Sequence, residues 1–225
     1  MNGVIEILPN GQWIVEGDTH LGAWAKQHGN IITDPHLFKW LKPHVENARV
    51  VYDLGANIGD HTRQYLDWGM KVVAIEPNPT AFRCLEHNCP EAECFNIAAS
   101  DHKGPLGFTQ IDNVGASRIT AGGDIEVPAY PLDGFFAYRA DLLPGFVKID
   151  VEGYEMFALR GMEKTLKMCK PIIFIEVNRG ALEANGCTPE DITSFLRDYL
   201  GYTNFSYYPV EAEWGWPQFD LLCKP

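Results

Sequence analysis

Residues 50–62 read VVYDLGANIGDHT. Val50, Val51, Tyr52 and Leu54 make a short run of β-branched and aromatic residues, the pattern of a buried strand that ends at Asp53. Gly55, Ala56, Asn57 and Gly59 follow as a tight turn of small residues, and from His61 the pattern turns helical. A strand that stops in such a turn and restarts as a helix leaves unpaired backbone N–H groups around one cleft. Glycine belongs where φ must be positive or where a ligand must approach the main chain. An ordinary βα turn can carry the same letters, so the rest of the chain has to decide.

Working outward, the helical pattern runs to Trp68 and is stopped by Gly69. Lys71 to Ile75 form a second strand that ends at Glu76-Pro77. Pro79 to His87 are helical, and Glu93 to Ile97 make a third strand. This β-α-β-α-β order predicts a parallel sheet with helices on both faces. Phe146–Ile149 and Ile172–Val177 add a fourth and a fifth strand, followed by helices over Tyr154–Met168 and Pro189–Leu200. Tyr202–Tyr208 and Phe219–Leu222 close the chain as an antiparallel pair. The Gly-rich stretch from Ala99 to Leu132, with strand-like pieces at Leu106–Gln110 and Ile125–Ala129, is read as an insertion at the sheet edge.

Before the first strand, residues 1–45 are expected to form a cap on the main unit. Val4 to Leu8 and Trp13 to Val15 flank the turn Pro9-Asn10-Gly11 as a hairpin. Asp18 or Thr19 is the expected cap of a helix carrying Leu21, Trp24 and Ala25, and Asp34-Pro35 starts a second helix. The whole chain, 1–225, is read as one domain, with the sheet unit spanning 46–225.

Composition narrows the function classes. The 225 residues are 46% apolar, enough for one sizeable core, and carry a net charge of −12. Such a balance disfavours DNA or RNA as a partner. No basic start with an apolar core marks a signal peptide, and the apolar run at Ile172–Ile175 is too short to cross a bilayer. No membrane partner and a cytoplasmic location are therefore expected; no oligomeric state is assigned. Cys84, Cys89 and Cys94 surround His87, but without a CxxC knuckle and across a helix–strand junction, so the six cysteines are read as reduced thiols rather than zinc ligands.

Four acids stand where parallel strands end: Asp53, Glu76, Asp150 and Glu176. In an open α/β sheet, ligands bind outside the carboxyl ends of the strands, where the winding reverses. Each acid alone would pass as a helix cap, whereas an acid at four strand ends points to a site. Glu76 follows Gly55 by 21 residues, close to the spacing at which an acid takes a ribose diol. Both a dinucleotide and an adenosyl cofactor fit that spacing, and the turn separates them. A pyrophosphate wants G-x-G-x-x-G, whereas here the turn is G-A-N-I-G with Asp53 just before it. A carboxylate there repels pyrophosphate and suits the positively charged amino acid end of S-adenosylmethionine.

These residues resemble the FkbM-type S-adenosylmethionine-dependent methyltransferases. The matching stretches are Asp53-Leu-Gly-Ala-Asn-Ile-Gly59, Ala74-Ile-Glu-Pro-Asn78, Asn96-Ile-Ala-Ala-Ser-Asp101, Pro131-Leu-Asp133, Val147-Lys-Ile-Asp-Val-Glu-Gly-Tyr-Glu155 and Ile175-Glu-Val-Asn178. They follow the family's order and cover residues from about 50 to 180, and KIDVEGYE is the most specific of them. The resemblance implies a Rossmann-like, doubly wound seven-stranded sheet, mostly parallel with an antiparallel C-terminal hairpin. It implies that Asp53, Gly55, Ala56, Asn57 and Gly59 surround the methionine part of S-adenosyl-L-methionine and that Glu76 takes the ribose. Pro77 or Asn78 would lie beside the adenine, with Asn96 and Ile97 along its border. The acceptor implied is a hydroxyl of a small molecule or carbohydrate.

The chemistry asks for in-line displacement at a sulfonium methyl, with the acceptor's proton removed. Candidate bases are Asp150, Glu176 and His61, with His20 of the cap as an outsider; Asp150, beside the cofactor at the switch point, is preferred. Glu152 and Glu155 are weighed equally as structural pairs of Lys148 and as site residues. Asp150, Glu152 and Glu176 gathering Mg²⁺ or Ca²⁺ is the less favoured alternative, and no metal is assigned. N-methylation on the same scaffold is one alternative function. The other is a binding domain that works through Tyr207, Tyr208, Trp214 and Trp216.

Overall fold

Two short antiparallel strands, β1 (Ile5–Ile7) and β2 (Trp13–Val15), open the computed structural model, which describes residues 3–209 and 216–225. Trp214 therefore lies outside the described residues. Helices α1 (Leu21–His28) and α2 (Pro35–Val45) follow. Asp34 caps α2, accepting from the N–H groups of His36 and Leu37 at 2.9 Å, and Pro35 occupies the first turn, where its missing donor costs nothing. Asp18 works differently from a plain cap. Its carboxylate accepts from Gly22 N at 2.7 Å in α1 and from Val114 N at 3.2 Å, tying the cap to a loop ninety-six residues away. Asn88 docks the hairpin, exchanging hydrogen bonds of 2.8 Å with the backbone of Trp13 and donating to the Ile58 carbonyl.

The main unit begins with β3 (Val50–Leu54), α3 (Asp60–Asp67), β4 (Lys71–Ile75), α4 (Pro79–Asn88) and β5 (Glu93–Phe95). A second, four-stranded sheet interrupts the alternation. It consists of β6 (Ala98–Ala99), β7 (Gly104–Thr109), β8 (Arg118–Ile119) and β9 (Ile125–Tyr130), in the order β6-β9-β7-β8. Then come α5 (Leu132–Phe135), β10 (Phe146–Ile149), α6 (Glu155–Gly161), α7 (Glu163–Cys169) and β11 (Ile172–Asn178). The chain ends with α8 (Arg179–Ala184), α9 (Pro189–Ser194), β12 (Asn204–Tyr208) and β13 (Gln218–Lys224).

The main sheet has the order β12-β13-β11-β10-β3-β4-β5. Pairings from β11 through β5 are parallel, while β13 runs antiparallel to both β11 and β12. Every residue of β3 is buried, as expected of a central strand covered on both faces. Its side chains divide by period two. Val50, Tyr52 and Leu54 join the apolar layer of α6, α7 and α9, and Val51 joins the layer of α2 and α3.

Three expected elements differ in detail. The third strand ends at Phe95 instead of Ile97, because the Asn96 side chain turns in to donate to the carbonyls of Glu76 at 2.8 Å and Pro77 at 3.0 Å. The helix expected over 154–168 is broken at Met162, next to Gly161, where a Cβ would lie 1.9 Å from the Ser100 carbonyl oxygen. That close approach of backbone to backbone requires glycine, a weak helix former. The last helix continues beyond Ser194 as a π-helical turn over Phe195–Tyr199. Cys84 and Cys89 are buried in separate apolar clusters, and His87 stacks on Trp13 with ring centroids 4.0 Å apart. Among the described residues no helix is long and apolar enough to cross a membrane.

Candidate active site

A cleft of about 810 Å³ opens at the carboxyl ends of β3, β4, β10 and β11. Sheet register explains why acids collect in it. Asp53 lies beside Lys148, and Lys148 beside Phe174, across three adjacent strands. Two residues further along each strand, on the same face, Gly55, Asp150 and Glu176 form the next row, and Glu176 pairs with Asp220 of β13. The apolar layer of Val51, Phe146, Phe174 and Leu222 thus gives way, at the strand ends, to a rim of charge.

Asp53 is fully buried beneath this rim and does not line the cleft. Its Oδ2 accepts from Thr62 Oγ1 at 2.6 Å, and its Oδ1 faces Lys148 Nζ at 3.5 Å. Lys148 also donates to the Gly55 carbonyl at 2.9 Å and pairs with Asp150 Oδ2 at 3.2 Å. Burial by itself lowers the lysine pKa, but Asp150 and Asp53 outweigh it and hold Lys148 firmly charged. Period two aims Asp53 toward α3, so it supports the site from behind.

The turn after β3 has three different roles. Gly55, at φ 78°, lies against the main chain of Asp150, and a Cβ there would fall 1.7 Å from the Asp150 carbonyl oxygen. Gly59, at φ 99°, faces Cys89 and Leu85 of α4, away from the cleft, and Ala56 is likewise buried in the core. Asn57, at φ 48°, is the turn residue that opens into the cleft together with Gly55. Its N–H donates to Glu76 Oε2 at 2.8 Å, while Asn78 N–H donates to Oε1 at 2.7 Å. Each Glu76 oxygen keeps a second lone pair for a ligand hydroxyl. Burial pushes Glu76 up to about 7 despite those two N–H donors. Asn78 is spent as the cap of α4, and Pro77 lines the cleft. Asn96 and Ile97 lie behind the wall, and Ala98 and Ala99 line it instead, because the third strand stops early.

On the opposite wall, Asp150, Glu152 and Glu176 each offer a carboxylate oxygen, all within 4.8 Å of one another. Burial, reinforced by Asp150 and Glu152, raises Glu176 well above the ordinary carboxylate range. Burial with the charges of Asp150 and Glu155 pushes Glu152 up to about 8, and burial with Asp150 pushes Asp220 up to about 7. Glu155 stays out of the cleft and folds back to accept from the N–H groups of Gly153 at 2.9 Å and Val151 at 3.2 Å. His61 lines the cleft, held by Tyr65 Oη at 3.0 Å from Nδ1 and by the edge of Phe38, and burial lowers its pKa, keeping the ring neutral.

Two walls were not legible as site. Asn113 to Ser117, from the inserted sheet, reach over the glycine turn, where a Cβ on Gly115 would lie 3.4 Å from Asn57 Nδ2. Gln218 and Asp220 arrive from β13, with Gln218 Nε2 donating to Glu176 Oε1 at 2.8 Å. The run of small residues Val114-Gly-Ala-Ser117 was a signal for the first; nothing local marks the second. The cap closes the remaining side through His20, Trp24 and the Thr33–Leu37 segment.

Residues 53–204 match the model of the methyltransferase FkbM domain. The hexuronic acid methyltransferase AglP of Haloferax volcanii is 27% identical over 168 residues, which cover 72% of this chain and 67% of that one. Among solved structures, the FkbM methyltransferase of Methylobacillus flagellatus KT superposes with a TM-score of 0.54 at 18% identity over 79% of this chain. This chain spans only 44% of that protein's length. A TehB-like SAM-dependent methyltransferase from Corynebacterium glutamicum aligns over 93% of this chain and 98% of its own, with a TM-score of 0.52 at 12% identity. Both likenesses are of fold.

Proposed function

Because the chain belongs to the FkbM methyltransferase family, we propose that it transfers a methyl group from S-adenosylmethionine to a hydroxyl oxygen of a small molecule or sugar. One observation carries this reading. Glu76, buried at the tip of β4 with both oxygens oriented by backbone N–H groups, faces the same cleft as the open Gly55–Asn57 turn. A carboxylate preset in this way fits a ribose diol, and Pro77 with the apolar Ala98, Ala99 and Phe108 suits a flat aromatic base. The buried Asn57 Oδ1, which has no donor among the described residues, fits a hydrogen-bonding ligand beside the turn. Residues 1–45 and the main unit act as one domain in this reading, since the cap lines the cleft.

S-adenosylmethionine supplies an electrophilic methyl group when bound. Glu76, Gly55, Asn57 and Pro77 would hold it; Asp53, Ala56, Gly59, Asn78, Asn96 and Ile97 shape those residues from behind. Asp150 accepts the acceptor's proton, with Lys148 Nζ 3.2 Å away balancing the charge before transfer. Glu176 and the neutral His61 are the lesser candidates: burial and the nearby charges of Asp150 and Glu152 raise Glu176 well above the ordinary carboxylate range, and the imidazole already engages Tyr65. The acid-rich wall opposite Glu76 suits a polyol better than an amine-poor apolar acceptor. With AglP named for a hexuronic acid, sugar acids are the first acceptors to try.

Calorimetry with S-adenosylmethionine and a labelled-methyl assay across sugar and sugar-acid acceptors test the proposal together. Glu76→Ala should bind the cofactor about 10- to 100-fold more weakly, the loss expected for hydrogen bonds to a charged group. Asp150→Asn should bind it and fail to transfer. Cofactor affinity unchanged by Glu76→Ala, or full turnover by Asp150→Asn, would remove the corresponding assignment.

A further inference from the structure

We propose that Asp150, Glu152 and Glu176 form a binding site for a hard divalent cation, facing the acceptor side of the cleft. That the ion would orient an oxygen-rich acceptor rests on the methyltransferase reading; the ion site itself does not.

Geometry supplies the first argument. The three carboxylate oxygens lie within 4.8 Å of one another. Oxygens bound to one hard divalent cation at about 2.1–2.4 Å lie at most about 4.2–4.8 Å apart, so the trio is close enough to converge on a single ion. Asp150 and Glu176 come from adjacent parallel strands on one sheet face, and Glu152, at φ 53°, sits where the chain doubles back after β10. The ligands therefore belong to strand ends and to one short loop held by Glu155.

An independent argument comes from a single atom. Glu176 Oε2 is sealed from solvent and accepts no hydrogen bond, while its partner Oε1 takes Gln218 Nε2 at 2.8 Å. A buried oxygen without a partner is unfavourable, and a cation in front of it would reverse that penalty. No side chain of the described residues does so. Lys148 is the one lysine or arginine among the described residues lining the cleft, and it is engaged with Asp53, the Gly55 carbonyl and Asp150. Among the described residues no ion pair joins Glu152 or Glu176 to a lysine or arginine. Hard oxygen ligands of this type select Ca²⁺, Mg²⁺ or Mn²⁺ over softer metals.

A bridging cation would also reconcile an acidic wall with an acceptor that bears diols or a carboxylate. Without it, such an acceptor meets Asp150, Glu152, Glu176 and Asp220 as like charge or as an excess of acceptors.

The test uses the full chain, treated with EDTA and then dialysed, titrated calorimetrically with CaCl₂ and separately with MgCl₂ in the absence of cofactor and acceptor. One site is expected, with Kd of about 10⁻³ M or tighter. Glu152→Gln and Glu176→Gln should each weaken it at least about tenfold, with melting curves confirming that both variants are folded. Gln preserves the shape of the side chain, and Glu152 is only half-buried, so at least that variant retains the fold. Absence of binding by both cations up to about 10 mM overturns the proposal, as does wild-type affinity in both variants. S-adenosylmethionine titrated into the same cation-free protein reports separately on the methyltransferase reading. Cofactor binding without cation binding sinks the ion site alone, and the reverse result sinks only the cofactor assignment.

Discussion

Replacing Gly55 by alanine tests how the sheet builds the site. The residue sits at φ 78°, which costs a side chain about 1–2 kcal/mol by itself. Its larger constraint is contact: the added Cβ would lie 1.7 Å from the Asp150 carbonyl oxygen and 2.8 Å from its carbon. That carbonyl cannot retreat freely, because Asp150 N–H donates to the Leu54 carbonyl at 3.0 Å and the two strands are in register up to that point. Relief needs a shift of more than an ångström and the loss of ladder hydrogen bonds worth about 1 kcal/mol each, so the total comes to about 3–5 kcal/mol. Gly69→Ala is the matched control, with φ 84° and nothing within 4 Å of the new Cβ. It should lose only the conformational part, about 1–2 kcal/mol. Urea unfolding of the two variants beside the wild type measures both. If Gly55→Ala were within about 1 kcal/mol of Gly69→Ala, the close approach of the turn to β10 would not be what requires glycine. The same comparison separates two jobs of the residue, since a glycine needed only for ligand access would lose cofactor affinity and no more stability than Gly69→Ala.

Two further predictions concern charge. Lys148→Met leaves Asp53 buried without its cation, so a loss of about 3–5 kcal/mol is expected in the same urea assay; adding Asp53→Asn should recover part of it, whereas additive losses would argue against the pairing. The buried acids in and around the cleft reverse the usual pH trend. Glu76, Glu155 and Asp220 at about 7 and Glu152 at about 8 all lie above their unfolded values, so the folded chain binds more protons than the unfolded one between those limits. Their stabilising contribution is complete below about pH 4 and is lost as pH rises toward 8. The melting temperature of the ligand-free protein should therefore decline from pH 5 to pH 8; a rise over that interval would contradict the burial of these carboxyls.

The alternating pattern of β3 to β5, with Glu76 at the tip of β4, was readable because each of these features is local. A run of β-branched residues buries on both faces wherever it lies, and a Gly-rich turn between strand and helix opens a cleft at its own position. The role of Asp53 was not readable. An acid at a strand end faces either the cleft or the helices behind it, and only the register that sets Lys148 beside it and Thr62 above it selects the second. For the same reason Ala98 and Ala99 line the cleft in place of Asn96 and Ile97, since the side chain of Asn96 is captured by the carbonyls of Glu76 and Pro77.

By itself the sequence determined the order of strands and helices, a mostly parallel sheet and the acids that end its strands, since propensity, periodicity and turn chemistry act over a few neighbouring residues. The tertiary structure alone decided which acids meet. Asp150, Glu152, Glu176 and Asp220 come together because β11 lies between β10 and an antiparallel β13, and Asn113–Ser117 cover the turn because Asp18 holds Val114 from across the molecule. Those contacts join residues tens of positions apart through register and packing, and no local pattern encodes them.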